Sequence, residues 1–335
     1  MAGEQQGQVN RVARNAPATR DQLTDAMAPR KGPAMATLAA PLPTPEQLVA
    51  ELVLLLDIES RGGDRFVGRK QTEGTGRVFG GQAIAQALVA ARRTVPEDRH
   101  THSLHAYFLR SGTDELPIDF RVKRDLDGRS FSNRRVVASQ QGQPILNLIA
   151  SFQKPQDGLS HQHAVMPSVP PPEELEPDAA IRRRFAEDMP EGPLRALMLR
   201  ARPIDVRSVE PRNWQSSDQR PPLAHCWFRT VAQLPDDQPI HRAVLAWASD
   251  FQLLATAIQP HGLSFHRGEI KAASLDHALW FHGAFRADDW LLYVTDSPWS
   301  GLARGFGRGQ IFTRDGRLVA SVAQEGMLRE VPRKG

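Results

Sequence analysis

The chain has 335 residues, which suits two units of roughly 100–150 residues each. Its 42 Lys and Arg against 38 Asp and Glu leave a formal charge of +4, too small for the length to signal a nucleic-acid partner. The single cysteine, Cys226, excludes an internal disulfide framework and a cysteine-based zinc cluster, and apolar runs such as Leu52 to Leu56 are far below the ~20 residues that cross a bilayer, so the expectation is a cytoplasmic protein without membrane insertion.

Residues 1–43 are rich in Ala, Arg, Pro and Gln and lack aromatics, and read as an unfolded leader. Order is expected from Thr44-Pro45-Glu46-Gln47. Thr44 is placed to cap a helix, Pro45 suits its first turn and Gln47 sits three residues after the cap. An N-terminal unit then fills 44–154. Gly80-Gly81 opens a helix over 82–93, with Ala83, Ile84, Ala87, Leu88 and Ala91 on one face. Strands follow at 103–110, at 118–123 where Ile118, Phe120 and Val122 alternate with charged residues, and at 129–139 and 144–153. Asp127-Gly128 and Gln141-Gly142 mark tight turns between them.

Residues 155–200 carry six prolines between 155 and 177 and then a helical patch over 179–198 broken at Pro190; they read as a linker. A second unit over 201–330 repeats the grammar of the first. Its helix is expected over 241–258, with Val244, Trp247, Ala248, Phe251, Leu254 and Ile258 on the apolar face, and strands at 274–285, 290–297, 305–313 and 317–329. Asp315-Gly316 is another hairpin turn. The echo between His105-Ala106-Tyr107-Phe108 and His277-Ala278-Leu279-Trp280-Phe281 supports a duplication. One helix per four or more strands argues for an α+β fold over a parallel α/β sheet.

Several chemistries find no support. The sequence has no G-x-S-x-G elbow and no phosphate-binding G-x-x-x-x-G-K-[ST] loop. His100, His102 and His105 are close in sequence, but alternation turns His105 to the other strand face, so they read as strand residues and no metal is expected.

Asp250 is the most informative residue. On the flank of an apolar helix face a carboxylate loses water, which raises its pKa toward that of a general base. Ser249-x-x-Gln252 also resembles a capping box, so Asp250 would equally suit a helix's first turn. Gln324 ends an apolar strand and needs partners for its amide. Ser274 opens a strand, where a turn role is common. Arg304 and Arg308, among the glycines of 303–309, suit either phosphate binding or a charged, bulged strand.

Read together, Val78-Phe79-Gly80-Gly81-Gln82-Ala83 and His102-Ser103-Leu104-His105-Ala106-Tyr107-Phe108-Leu109-Arg110 resemble the first half of the type II acyl-CoA thioesterases. Ala248-Ser249-Asp250, Gln259-Pro260-His261-Gly262, Ser274-Leu275-Asp276-His277-Ala278-Leu279-Trp280-Phe281-His282 and Val319-Ala320-Ser321 through Gln324-Glu325-Gly326 resemble the second half. The resemblance implies a double hotdog fold, two helix-wrapped antiparallel sheets joined into one. It implies hydrolysis of acyl-CoA to fatty acid and CoA, with no cofactor, by Asp250 on the second helix, Ser274 on the next strand and Gln324 on the last. Some relatives carry Thr where this sequence has Ser274, and the hydroxyl is the same. The mechanism that follows is one activated water, with Gly81 and Gln82 at a helix N-terminus near the oxyanion and Arg304 or Arg308 near CoA phosphates. A homo-dimer or homo-tetramer is implied by resemblance alone. The alternatives are a non-catalytic acyl-CoA-binding hotdog protein and an enoyl-CoA hydratase using His277.

Overall fold

A computed structural model of the chain describes residues 42–71, 76–211, 216–265 and 267–332. The expected leader falls almost wholly on 1–41, outside the described residues. Helix α1 (Pro45–Leu56) begins as its sequence predicts. The Gln47 N–H donates to Thr44 Oγ1 and the Thr44 N–H to Gln47 Oε1, and Val49, Leu52 and Leu56 are buried. Strands β1 (Ile58–Gly62) and β2 (Arg65–Gly68) form a hairpin that sequence reading misses. They are short and bury few side chains, so the alternation signal is weak.

Helix α2 (Gly80–Arg92) starts two residues before its expected position and is buried nearly all round, Gln82 and Gln86 included. Its alanines allow that enclosure. The two glutamines are tied to backbone: Gln82 Nε2 donates to the Arg69 carbonyl at 3.2 Å and Gln86 Nε2 to those of Leu55 and Arg69 at 2.6 and 3.0 Å. Strands β3 (His100–Phe108), β4 (Ile118–Asp127), β5 (Phe131–Gln140) and β6 (Gln143–Gln153) complete the first half. Gln141 and Gly142, both at positive φ, make the two-residue turn between β5 and β6. The loop at Asp127-Gly128 is longer than expected, because Gly128 donates to the Phe131 carbonyl.

The proline-rich stretch does more than connect. Ala164, Met166, Val169 and Leu175 pack on Trp227, Trp290, Leu292 and Phe312, on the far side of the sheet from the central helices, and Trp227 Nε1 donates to the Pro170 carbonyl at 2.9 Å. The helical patch is two helices, α3 (Asp178–Glu187) and α4 (Pro193–Leu199), separated around Pro190. Then come β7 (Ile204–Ser208), β8 (Leu223–Thr230), α5 (Gln238–Ala248), α6 (Leu253–Ile258), β9 (Ile270–Ser274), β10 (Asp276–Phe281), β11 (Leu291–Gly301), β12 (Arg304–Thr313) and β13 (Leu318–Glu330). The short edge strand β7, with one buried residue, escapes the sequence reading for the same reason as β1 and β2; β8 beside it escapes because three consecutive buried residues, Cys226 to Phe228, break the alternation.

The single helix expected over 241–258 is broken. Residues 249–252 are non-helical, because the Ser249 hydroxyl bonds back to the Ala246 carbonyl, the Ser249 carbonyl is taken by the buried Tyr293 hydroxyl at 2.8 Å, and the Phe251 N–H reaches Ala248 in a tightened turn. Asp250 therefore stands in a helix break, not on a helix face, and it does not cap the helix that follows: Gln252 is the N-cap residue of α6 and makes no side-chain cap bond. The expected strand at 274–285 is likewise two strands, β9 and β10, that part at Leu275.

All strands form one antiparallel sheet in the order β1-β2-β4-β5-β6-β3-β10-β13-β12-β11-β8-β7, with β9 on the end of β13. The joint is β3 against β10, with His105 opposite Ala278 and Ala106 opposite His277. The echoed segments thus meet at a pseudo-two-fold axis. Their histidines are not equivalent, however: His105 is exposed on the outer face and His277 is fully buried on the helix face, a slip of one residue.

The β11–β12 turn is made by Leu302 and Ala303, both at positive φ without glycine. Left-handed conformations are unfavourable for such residues by about 1–2 kcal/mol each. Replacing the pair with Asn-Gly is expected to raise the chemical denaturation midpoint, equivalent to about 1 kcal/mol or more.

Candidate active site

Four elements converge at one end of the central helices. The loop between α5 and α6 delivers Asp250, the end of β9 delivers Ser274, the inner face of β13 delivers Gln324, and α2 delivers its N-terminus. Gln324 Nε2 donates to Asp250 Oδ1 at 2.8 Å and to Ser274 Oγ at 2.5 Å, so one amide links residues 74 and 50 positions away in sequence. Gln324 is buried, and its amide oxygen makes no hydrogen bond of good geometry. The Ser274 hydroxyl accepts from Gln324 and keeps its own proton to donate.

The Asp250 carboxylate also accepts from the Gly81 N–H, at the positive end of α2. Phe79, Trp247 and Phe251 form an aromatic cluster around this junction, with ring centroids 4.9–5.5 Å apart. Asp250 keeps some accessible surface, yet desolvation of its carboxylate outweighs the hydrogen bonds from Gln324 and Gly81 and raises its pKa to about 6. The sequence points to Asp250 but not to these aromatics, whose only signal is that Trp247 and Phe251 flank it and Phe79 precedes the double glycine.

The glycines make the junction possible. A Cβ on Gly81 would stand 2.2 Å from the Trp247 carbonyl oxygen, and one on Gly80 would stand 2.6 Å from Asp250 Oδ2. The expected oxyanion donors are otherwise engaged: the Gly81 N–H by Asp250 and the Gln82 N–H by the Phe79 carbonyl at 3.0 Å. Arg304 and Arg308 are not with the trio. Gly305 and Gly307 face α6, so alternation turns Arg304 and Arg308 to the outer face. There Arg304 pairs with Glu325 at 3.0 Å and Arg308 with Asp296 at 3.1 Å.

Two buried residues stand behind the trio: His277, which the sequence offers only as the base of a hydratase, and Tyr293, which it does not offer at all. His277 Nε2 lies 2.9 Å from Ser249 Oγ, and burial pushes the imidazole down to a pKa of about 4, so it is neutral. The Tyr293 hydroxyl, which holds the Ser249 carbonyl, is pushed far above its ordinary range by burial. Among the described residues no three His, Cys, Asp or Glu side chains are grouped to hold a metal ion, and no helix is long and apolar enough to cross a membrane.

Comparison with known proteins identifies the family and the fold. Residues 202–327 match the acyl-CoA thioesterase family model and residues 69–153 match that of the acyl-CoA thioesterase N-terminal domain. Acyl-CoA thioesterase 2 of Haemophilus influenzae is 38% identical over 282 residues, covering 84% of this chain and 98% of that protein. Human acyl-coenzyme A thioesterase 8 is 39% identical over 284 residues, covering 83% and 88%. The crystal structure of an acyl-CoA thioesterase II from Mycobacterium marinum superposes with a TM-score of 0.68 at 39% identity, covering 85% of this chain and all of that one. A hot dog fold protein from Alicyclobacillus acidocaldarius superposes with a TM-score of 0.64 at 19% identity, covering 83% of this chain and 98% of that one, and bears on the fold alone.

Proposed function

Since the chain belongs to the type II acyl-CoA thioesterases and hydrolyses acyl-CoA on a double hotdog fold, we propose that Asp250, Ser274 and Gln324 carry the reaction by holding and activating one water. The observation that carries this reading is the Gln324 amide bridging a carboxylate and a hydroxyl at the mouth of a helix N-terminus. Asp250 takes a proton from the water as its oxygen attacks the thioester carbonyl carbon. The Ser274 hydroxyl keeps its proton and donates a hydrogen bond to the water oxygen, which fixes the direction of the water. The tetrahedral intermediate collapses with cleavage of the C–S bond, and the sulfur leaves with the proton returned by Asp250. The positive end of α2 lies beside the developing negative charge.

The hydroxyl is the only part of Ser274 this scheme uses, so Thr serves equally at that position. Arg304 and Arg308, on the outer face and paired with Glu325 and Asp296, take no part in the water chemistry. We further assign the chain to an N-terminal hotdog unit (44–154), a linker (155–200) and a C-terminal unit (201–330) that carries the trio, in a cytoplasmic homo-dimer or homo-tetramer.

The test is release of CoA from acyl-CoA, followed with a thiol reagent across pH. The base works only as a carboxylate, and its raised pKa means that the proton leaves near pH 6. The expected kcat/KM therefore rises about tenfold per pH unit below about 6 and levels above it. A profile flat from about pH 5 to 7 removes Asp250 as the base. Loss of enoyl absorbance from crotonyl-CoA without thiol release indicates a hydratase instead.

A further inference from the structure

Behind the trio lies a side chain that the reaction does not use, His277, paired across the sheet with one that it does, Gln324. Ala278 of β10 pairs with Ala323 of β13, so the next residues on the helix face, His277 and Gln324, stand opposite each other. The first half of the chain shows what this position holds when no chemistry is done there. Gly142 and Gly316, both at positive φ, sit in the corresponding hairpin turns, and Ala150 and Gln324 each lie eight residues beyond them. Ala150 pairs with Leu104 on β3 and, on its other side, with Arg134 on β5; Gln324 has His277 on one side and Gly307 on the other. Where the first half has a fully buried Leu-Ala pair, the second half has a buried His-Gln pair. Packing alone is met by the apolar version.

The hydrogen bonds around this pair leave two loose ends. His277 Nδ1 and Gln324 Oε1 are both buried and neither makes a hydrogen bond of good geometry, although the two side chains stand within hydrogen-bonding range of each other. The single hydroxyl proton of Ser249 is offered two acceptors, the Ala246 carbonyl at 3.0 Å and His277 Nε2 at 2.9 Å. If the Ala246 carbonyl takes it, the imidazole must donate through Nε2, and a bare Nδ1 lone pair faces the Gln324 carbonyl. If His277 takes it, Nδ1 carries the ring proton, and both loose ends are satisfied at once.

We propose that His277 is a positioning residue: its Nδ1–H holds the Gln324 carbonyl, so that the amide NH2 is the end presented to Asp250 and Ser274. Gln324 is the one member of the trio whose two ends are nearly the same shape and opposite in polarity. Turned by half a rotation, it would set a carbonyl against the Asp250 carboxylate and withdraw the donor from Ser274. His277 prevents this from the rear, and Ser249, the residue before Asp250, fixes its tautomer. The inference rests on the trio being catalytic.

The experiment compares His277→Asn, His277→Gln and His277→Leu. Asn places an amide N–H near the position of Nδ1, Gln places it near Nε2, and Leu is the residue the fold itself carries at Leu104. The expected kcat for the Asn variant is within about threefold of wild type, and for the Gln and Leu variants it falls about 10²-fold with KM little changed. In the Leu variant the acid limb of kcat/KM shifts upward, since a carbonyl then faces the Asp250 carboxylate. Tyr293, with its pKa far above the ordinary range, and the neutral His277 contribute no limb there. The imidazole 15N spectrum of the wild-type protein is expected to show His277 protonated at Nδ1. Wild-type kcat and an unmoved limb in the Leu variant, equal losses in the Asn and Leu variants, or a proton on Nε2 would each overturn the proposal. Should the Leu variant fail to fold, the Asn and Gln pair and the spectrum still decide. Full activity in Asp250→Asn would instead bring down the catalytic reading, and the spectrum separates that failure from this one.

Discussion

Asp250→Asn is expected to lower kcat for CoA release by about 10²–10⁴-fold while leaving the protein folded. Asn keeps the shape and an acceptor for Gln324, gives up the acceptor for the Gly81 N–H, and cannot take a proton from water. The same change is expected to raise stability at neutral pH. Asp250 has a folded pKa of about 6 against an ordinary carboxylate value of 3.8. The folded state therefore binds that proton more tightly than the unfolded chain, and the stability this provides is present below about pH 4 and lost as pH rises through about 6. At pH 7 the ionised Asp250 destabilises the fold, and Asn relieves it by about 1–2 kcal/mol. Chemical denaturation at pH 5 and pH 8 checks the sign, because the advantage of Asn must be larger at the higher pH. A variant that is inactive and no more stable at pH 8 than wild type would leave the raised pKa without its physical cause.

Asp250 also marks where the sequence stops being readable. Strand alternation in β4, the capping box of α1 and the Gln141-Gly142 turn are local signals, and local structure obeys them. The break after α5 is not local. Apolar residues continue at helical spacing from Val244 through Leu254 and Ile258, and nothing in that periodicity shows that Tyr293, 44 residues on, will take the Ser249 carbonyl out of the helix. The same holds for the trio. Each of its residues is ordinary alone, and only the register of β13 against β9 and β10 puts Gln324 between Ser274 and His277. Family resemblance names the three because it carries that register implicitly. It says nothing of His277, which as an isolated strand histidine has the chemistry of a packed side chain. The arginines of β12 show the converse. Their glycine-rich setting suggests room for phosphates, yet the glycines serve the inner face, where α6 crosses the strand closely, and the arginines lie on the other.

Gly80→Ala and Gly81→Ala are expected to fail in different ways, and the difference tests whether the junction of the two halves makes the site. The Cβ of Gly81→Ala would meet the Trp247 carbonyl oxygen at 2.2 Å, a backbone atom at the end of α5 that has no side chain to swing aside. The two central helices must separate, and the loss is expected to be about 3 kcal/mol, a fall in Tm of roughly 5–10 °C for a protein of this size. The Cβ of Gly80→Ala would meet Asp250 Oδ2 at 2.6 Å and the ring of Phe108 at 3.0 Å, both of which belong to side chains that can turn. Here Tm is expected to move by only a few degrees while kcat falls by about 10²-fold, because the carboxylate is displaced from the water it must reach. Thermal unfolding followed by circular dichroism, set beside CoA release, reads both effects. A Gly80→Ala variant with full activity would mean that Asp250 Oδ2 works elsewhere than against the α2 N-terminus. A Gly81→Ala variant as stable as wild type would mean that the helices are not held as closely as the contact between α2 and the Trp247 carbonyl requires.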